Sequence, residues 1–143
     1  MPSASNEIVI ARPPAEVYAF LADRENDARW RSGVLDMKLV SGSGVGARYA
    51  QGVKGPGGRR IPADIEVTAL EPERRVAFQT VAGPVRPSGS YELSPADGGT
   101  RVRFDLDAQL SGVKRLMAPM VQKTMKSEVG QLESLKRTLE GSP

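Results

Sequence analysis

Apolar and polar residues alternate with a period of two through the middle of the chain, between Val34 and Leu110. Such alternation places apolar side chains on one face of a β-strand and is typical of an antiparallel sheet with one solvated face. Turns rich in glycine and proline separate the alternating runs. The pattern predicts a first strand over Glu7–Ala11 and six more over Val34–Val40, Ala47–Val53, Ile61–Leu70, Arg75–Val81, Pro87–Ser94 and Thr100–Leu110.

Two short helical elements are predicted directly after the first strand. Apolar residues recur at helical spacing over Ala15–Ala22, and Pro13 and Pro14 suit the start of a helix, where a missing N–H costs little. The following stretch, 23–31, is polar apart from Trp30. It predicts a second short helix or turn that fixes the position of the indole.

The last segment, 112–140, predicts a long amphipathic helix because its apolar residues recur three and four apart. Pro119 should kink this helix or delay its start, since proline removes a backbone hydrogen bond inside a helix. The apolar stripe should cover the apolar face of the sheet. It consists of Val113, Leu116, Met117, Met120, Val121, Met125, Val129, Leu132, Leu135 and Leu139.

These elements together predict an α+β fold in a single domain over residues 1–143. In this fold a curved antiparallel sheet of about seven strands wraps around the long C-terminal helix, and two short helices follow the first strand. The sheet must bend far enough to grip the helix, which makes this order of elements uncommon.

Composition narrows the chemistry, because the chain holds no histidine and no cysteine. Ser-His-Asp and Cys-His catalytic pairs, zinc fingers and haem held by the usual axial ligands are therefore excluded. We predict neither a metal nor a cofactor. The formal charge is only +3 with both signs interspersed, which argues against nucleic acid as a partner. No run is long enough to span a membrane, and residues 1–6 lack the pattern of a signal peptide, so we expect a cytoplasmic protein.

Three segments carry a resemblance to a known family: Arg12–Trp30, Glu71–Phe78 and Gly98–Val102. They resemble the START-like superfamily, and more narrowly its polyketide cyclase/dehydrase-like branch, also called SRPBCC. The likeness covers nearly the whole chain and implies the helix-grip fold. It also implies a cavity between sheet and C-terminal helix that holds an apolar or amphipathic small molecule, such as a lipid or a polyketide.

Candidate ligand-binding residues are those that combine apolar area with adaptable or polar groups. Methionine side chains adapt to irregular ligands, and buried tyrosine needs a partner for its hydroxyl. The same residues are also ordinary core residues, and both interpretations stay open. The candidates are Trp30, Tyr49, Gln51, Phe78, Thr80, Tyr91, Met117, Met120, Val121, Thr124 and Met125.

Two other classes of function remain as alternatives to ligand binding. One is a cyclase or dehydratase, with Tyr49, Tyr91 or Glu128 as proton donor or base, although the sequence assigns no catalytic residue. Glu128 lies at the edge of the apolar stripe, where most carboxylates reach solvent or pair with a neighbour. The other is a protein-interaction module. The exposed strand edges allow a homodimer as well as a monomer.

Overall fold

The structure is a computed structural model, and it describes residues 2–141. Within that range the chain forms eight strands, three α-helices and three 3₁₀ segments. In chain order these are β1 (Ser3–Ile10), α1 (Pro14–Ala22), a 3₁₀ segment (Arg24–Arg29), β2 (Val34–Ser41), β3 (Arg48–Lys54), a 3₁₀ turn (Pro56–Gly58), β4 (Arg60–Pro62), β5 (Ile65–Glu71), β6 (Arg75–Thr80), β7 (Ser88–Ala96), β8 (Gly99–Asp107), a 3₁₀ segment (Gly112–Met117), α2 (Ala118–Gly130) and α3 (Leu132–Glu140).

The strands form one antiparallel sheet in the order β1-β8-β7-β6-β5-β3-β2, with β4 paired to β3. β1 pairs with β8 along its whole length, so the N-terminal strand lies next to the last one. The predicted curved antiparallel sheet with a C-terminal helical segment is confirmed. The alternation in β8 is confirmed as well, because Val102, Phe104 and Leu106 are buried while Arg101 and Arg103 are exposed.

The stretch predicted as one strand over Ile61–Leu70 is in fact two strands. The break falls at Ala63 and Asp64, directly after Pro62, which has no N–H for the ladder. The carboxylate of Asp64 accepts a hydrogen bond from the backbone N of Gln51 at 3.2 Å, in place of a backbone carbonyl. Ile65 and Val67 are buried, as the alternation predicts, whereas Ile61, Ala63 and Asp64 are all half-buried, and the pattern did not reveal the interruption.

The C-terminal segment is interrupted twice. Pro119 lies in the first turn of α2, so it delays the start of the helix, as predicted. A second break at Gln131, which the sequence did not predict, separates α2 from α3. The prediction that the whole apolar stripe covers the sheet was wrong at its beginning, since Val113, Leu116 and Met120 are 84%, 85% and 58% exposed.

Aromatic residues contact one another in the interior between sheet and helices. Tyr91 stacks on Phe104 with ring centroids 4.3 Å apart, and Trp30 meets the edge of Tyr91 at 6.1 Å. Leu132 and Leu135 of α3 are completely buried. Within residues 2–141 no helix is both long and apolar enough to cross a membrane.

Candidate functional site

A cavity of about 610 Å³ lies between the concave face of the sheet and α2. Its size falls in the range of small-molecule sites, roughly 300 to 1,000 Å³. Residues from β3, β6, β8, α2 and four connecting segments form its walls. The lining consists of Arg31, Ser32, Gly33, Gln51, Val53, Lys54, Ala63, Phe78, Thr80, Val85, Pro87, Leu106, Lys123, Thr124, Met125, Ser127, Glu128 and Gln131.

The apolar part of the sheet wall is formed by Phe78 and Leu106 and depends on a glycine. Phe78 of β6 and Leu106 of β8 both face Gly89 of β7, which is the register partner of each. A Cβ atom at Gly89 would lie 2.4 Å from Cζ of Phe78 and 2.9 Å from Cδ2 of Leu106. The absence of a side chain at Gly89 therefore lets the phenyl and isobutyl groups meet over β7, and so sets the floor of the cavity.

A buried polar network closes one end of the cavity, and Arg31 is its centre. Arg31 Nε and Nη2 each lie 2.9 Å from Oε2 of Glu128, which belongs to α2. Arg31 Nη1 donates to Oδ2 of Asp27 at 2.8 Å and to Oε1 of Gln51 at 3.1 Å. Gln51 Nε2 in turn donates to the carbonyl of Ala63 at 2.7 Å. The network ties the 3₁₀ segment, the sheet and α2 to one another.

Electrostatics keep this arginine charged. Burial disfavours the guanidinium form of Arg31, but the carboxylates of Glu128 and Asp27 outweigh that cost and raise its pKa. Asp27 also forms a buried ion pair with Arg24, whose side chain is 0% exposed. Two arginines thus face two carboxylates, so the end of the cavity carries no net charge.

The aromatic core borders this network, and Phe78 belongs both to this core and to the cavity wall. The guanidinium of Arg24 lies 4.9 Å from the ring centre of Phe78 and 5.1 Å from that of Tyr91, within cation–π range. Among the described residues the hydroxyl of Tyr91 has no hydrogen-bond partner. Burial raises the pKa of Tyr91 to about 12, so the phenol is neutral at ordinary pH.

The helix wall of the cavity is polar at its rim. Met125 is buried and presents its side chain to the cavity, whereas Lys123, Thr124 and Ser127 are exposed. Glu128 is one helical turn beyond Thr124, and its side chain is 20% exposed. The opening of the cavity is therefore bordered by α2 and also by Ser32 and Lys54, which are exposed as well, while Arg31 and Gln51 of the polar end are buried.

The structure places five of the predicted binding residues on the cavity wall: Gln51, Phe78, Thr80, Thr124 and Met125. The other six lie elsewhere among the described residues. Trp30, Tyr49, Tyr91 and Val121 belong to the buried core, Met117 is half-buried, and Met120 is exposed at the surface.

Arg31 and Asp27 were missed by the sequence reasoning, which singled out only Trp30 from this stretch. A signal was present, because Arg24, Asp27 and Arg31 are spaced three and four apart, as paired charges on one side of a helical turn are. Glu128 was considered and expected to reach solvent or to pair with a neighbour. It pairs with Arg31, which lies 97 residues away along the chain.

Comparison with known proteins identifies the family. A family model described as polyketide cyclase/dehydrase and lipid transport matches residues 1–140. The chain belongs to this family. No curated protein matches the chain. The match of the family model to residues 1–140 confirms the resemblance inferred from the three sequence segments. It extends that resemblance over almost the whole chain.

Solved structures show the same fold. The protein TTHA0849 from Thermus thermophilus has a TM-score of 0.82 and 26% identity over 99% of this chain and 100% of that one. A START superfamily protein from Mycobacterium smegmatis has a TM-score of 0.78 and 15% identity over 97% of both chains. DR_A0006 from Deinococcus radiodurans has a TM-score of 0.71 and 20% identity over 98% of both chains. The predicted START-like helix-grip fold is thereby confirmed.

Proposed function

We propose that the chain binds an apolar or amphipathic small molecule in the cavity between the sheet and α2. The observation that carries this proposal is the cavity itself, which stays open at about 610 Å³ although the neighbouring interior is closely packed. Its sheet wall has an apolar part, with Val53, Phe78 and Leu106, and its buried end holds a few fixed polar groups. This combination is typical of small-molecule sites.

The polar end favours an uncharged polar group on the ligand. Arg31 already donates to Glu128, Asp27 and Gln51, and the four charges of the network balance. A carboxylate brought against Glu128 would be repelled by it and would find Arg31 already paired, while the two lysines of the lining, Lys54 and Lys123, are exposed and lie outside this network. The hydroxyl of Thr80, which is 4% exposed and lines the cavity, can donate to or accept from an alcohol or carbonyl. The ligand is therefore an apolar body with a neutral polar end, as in a sterol, a fatty alcohol or a polyketide.

The positions of the tyrosines support binding rather than catalysis. A general acid or base must come within hydrogen-bond reach of the reacting atoms. Tyr49 and Tyr91, two of the candidates for that role, lie in the buried core and not on the described cavity wall. Glu128 does line the cavity, and its Oε2 is held by two nitrogens of Arg31. We place the protein in the cytoplasm, as its sequence suggests, and its single domain would work there as a carrier or holder of the ligand.

A titration with the apolar dye Nile red tests the proposal. The test variant, Val85→Trp, puts an indole into the cavity from a connecting segment. The control, Val40→Trp, puts the same group on the surface of β2, where Val40 is 59% exposed. We expect one dye molecule to bind per chain in the wild type and in Val40→Trp. In Val85→Trp the affinity should fall by about tenfold or more, since lost volume removes apolar contact. Equal affinity in both variants would show that the dye binds elsewhere and would overturn the proposal.

Competition against the dye tests the polar end. Decanol should displace Nile red at lower concentration than decanoate, because the balanced network disfavours a second carboxylate. Thr80→Val should reduce the advantage of decanol over decane by roughly two- to tenfold, the size of one hydrogen bond. Preference for decanoate would refute the neutral polar end while leaving the cavity proposal intact.

A further inference from the structure

The beginning of the C-terminal helical segment exposes three apolar side chains in a row. Val113 and Leu116 are three apart in a 3₁₀ segment, where side chains at that spacing lie over one another. Met120 follows four residues later, in the first turn of α2. Val113 and Leu116, at 84% and 85%, are the most exposed of the large apolar residues described. We call Val113, Leu116 and Met120 the apolar ridge.

The charge around the apolar ridge has one sign. Residues 108–127 contain four basic side chains, Lys114, Arg115, Lys123 and Lys126, and no aspartate or glutamate. Lys114 and Arg115 lie between the two outermost apolar residues, and both are exposed. Elsewhere in the chain the two signs are interspersed, and the net charge is only +3. The ridge is therefore a locally cationic surface on a nearly neutral protein.

The apolar ridge leads directly to the opening of the cavity. Thr124 is four residues after Met120 on α2, so the two lie on the same side of the helix, and Thr124 and Lys123 line the cavity. A surface that covers the ridge would thus also meet the rim through which a ligand enters or leaves.

We propose that the apolar ridge and its basic neighbours dock the protein reversibly onto the surface of an anionic lipid bilayer. Exposed aliphatic side chains flanked by lysine and arginine enter the boundary between headgroups and acyl chains, while the cations stay with the lipid phosphates. The docking itself does not require a filled cavity. Its use for ligand exchange rests on the proposed function, since Lys123 and Thr124 border both surfaces.

The charge pattern favours a bilayer over a second copy of this chain. Two copies related by a two-fold axis would bring like patches together, so the four cations of one ridge would face those of the other. The surface of an anionic membrane is negatively charged throughout, so the ridge can bind it without a partner surface of complementary shape. Three apolar residues also give weak, reversible binding, which suits an exchange step.

Vesicle co-sedimentation with the full chain tests the docking. The probes are vesicles of mixed phosphatidylcholine and phosphatidylglycerol, and vesicles of phosphatidylcholine alone. One pair of variants tests the apolar ridge. The test variant carries Val113→Ser and Leu116→Ser together, and its control carries Leu35→Ser and Val40→Ser, which remove two exposed apolar side chains from β2. A second pair tests the charge of the ridge. The test variant is Lys114→Glu, and its control is Lys38→Glu at another exposed lysine. All four change exposed side chains, and circular dichroism checks that they fold.

We expect the wild type and both controls to sediment with the anionic vesicles and to be released by salt. Binding should fall by about tenfold in each ridge variant. Nile red affinity should be unchanged in all of them, so that loss of docking is separated from loss of the cavity site. No sedimentation of the wild type, or equal sedimentation of ridge and control variants, would overturn the docking. A dimer in sedimentation velocity that both ridge variants abolish would overturn it in favour of self-association.

Discussion

The two helices of the C-terminal segment, α2 and α3, pack differently against the same sheet. α3 presents Leu132, Leu135 and Leu139, all buried, and it fills the space beside β1. α2 also buries an apolar row, but its neighbouring positions carry Thr124, Ser127 and Glu128, which line the cavity. One half of the interior is therefore closely packed, and the other half contains the cavity.

This difference shows that the helix, as much as the sheet, decides where the cavity lies. Short or polar side chains on α2 leave space that three leucines close under α3. The break at Gln131 separates the two regions, and Gln131 itself lines the cavity. The packed half should then set stability, and the open half should set ligand affinity, apart from the buried ion network beside the cavity, which should also contribute to stability.

The largest expected effect comes from Asp27, which pairs with two buried arginines. Asp27→Asn keeps the shape of the side chain but leaves the buried guanidiniums of Arg24 and Arg31 with one carboxylate fewer. Breaking a buried ion pair in this way costs about 3 to 5 kcal/mol of unfolding free energy, as measured by urea denaturation. Asp36→Asn, at the exposed pair with Arg60, is the matched control and should leave the urea midpoint nearly unchanged. Similar losses in both variants would contradict the role given to the buried network.

The packed half alone is tested by Leu135→Ala. Leu135 is 0% exposed, so truncation should cost about 2 to 5 kcal/mol of unfolding free energy, because a cavity opens in a closely packed region. Nile red affinity of the folded variant should stay at the wild-type value. Should the dye affinity change as much as the stability, the two halves would not be independent.

Alkaline pH tests the burial of Tyr91 in the aromatic core. Burial raises the pKa of Tyr91 to about 12 from its usual 10.0, so between these values the unfolded chain loses this proton and the folded chain keeps it. The unfolding free energy contributed by Tyr91 is therefore complete below pH 10 and is lost as the pH rises toward 12, by about 2 to 3 kcal/mol. Between pH 10 and pH 12 the unfolding free energy of Tyr91→Phe should fall less than that of the wild type. Parallel stability curves for the two proteins would argue against the buried, neutral phenol.

The open half is tested by Gly89→Ala. The new Cβ would collide with Phe78 and Leu106 and displace both into the cavity, so the affinity for Nile red should fall by about tenfold. Gly130→Ala is the control, since nothing lies within 4 Å of a Cβ there and its helical position should gain about 0.5 to 1 kcal/mol in stability. Undiminished dye binding by Gly89→Ala would move the binding site away from this wall.

Local patterns predicted the elements of this fold well, and long-range partners account for what they missed. Period-two alternation revealed the strands because one face of the sheet is buried. It did not reveal that Pro62 and the Asp64 carboxylate divide one strand, or that Glu128 meets Arg31 across 97 residues of chain. Helical periodicity predicted the apolar stripe, but spacing alone cannot show whether a partner surface exists. Val113, Leu116 and Met120 have the right spacing and no sheet beneath them to cover.

Native mass spectrometry of the protein purified from its own host tests the central claim most directly. The wild type and Val40→Trp should each carry one small apolar molecule per chain, released on denaturation, and Val85→Trp purified in the same way should carry none. A bound molecule retained equally by Val85→Trp would contradict the assignment of the cavity as the binding site, as would a wild-type chain that is free of ligand under mild conditions and fails to take up Nile red.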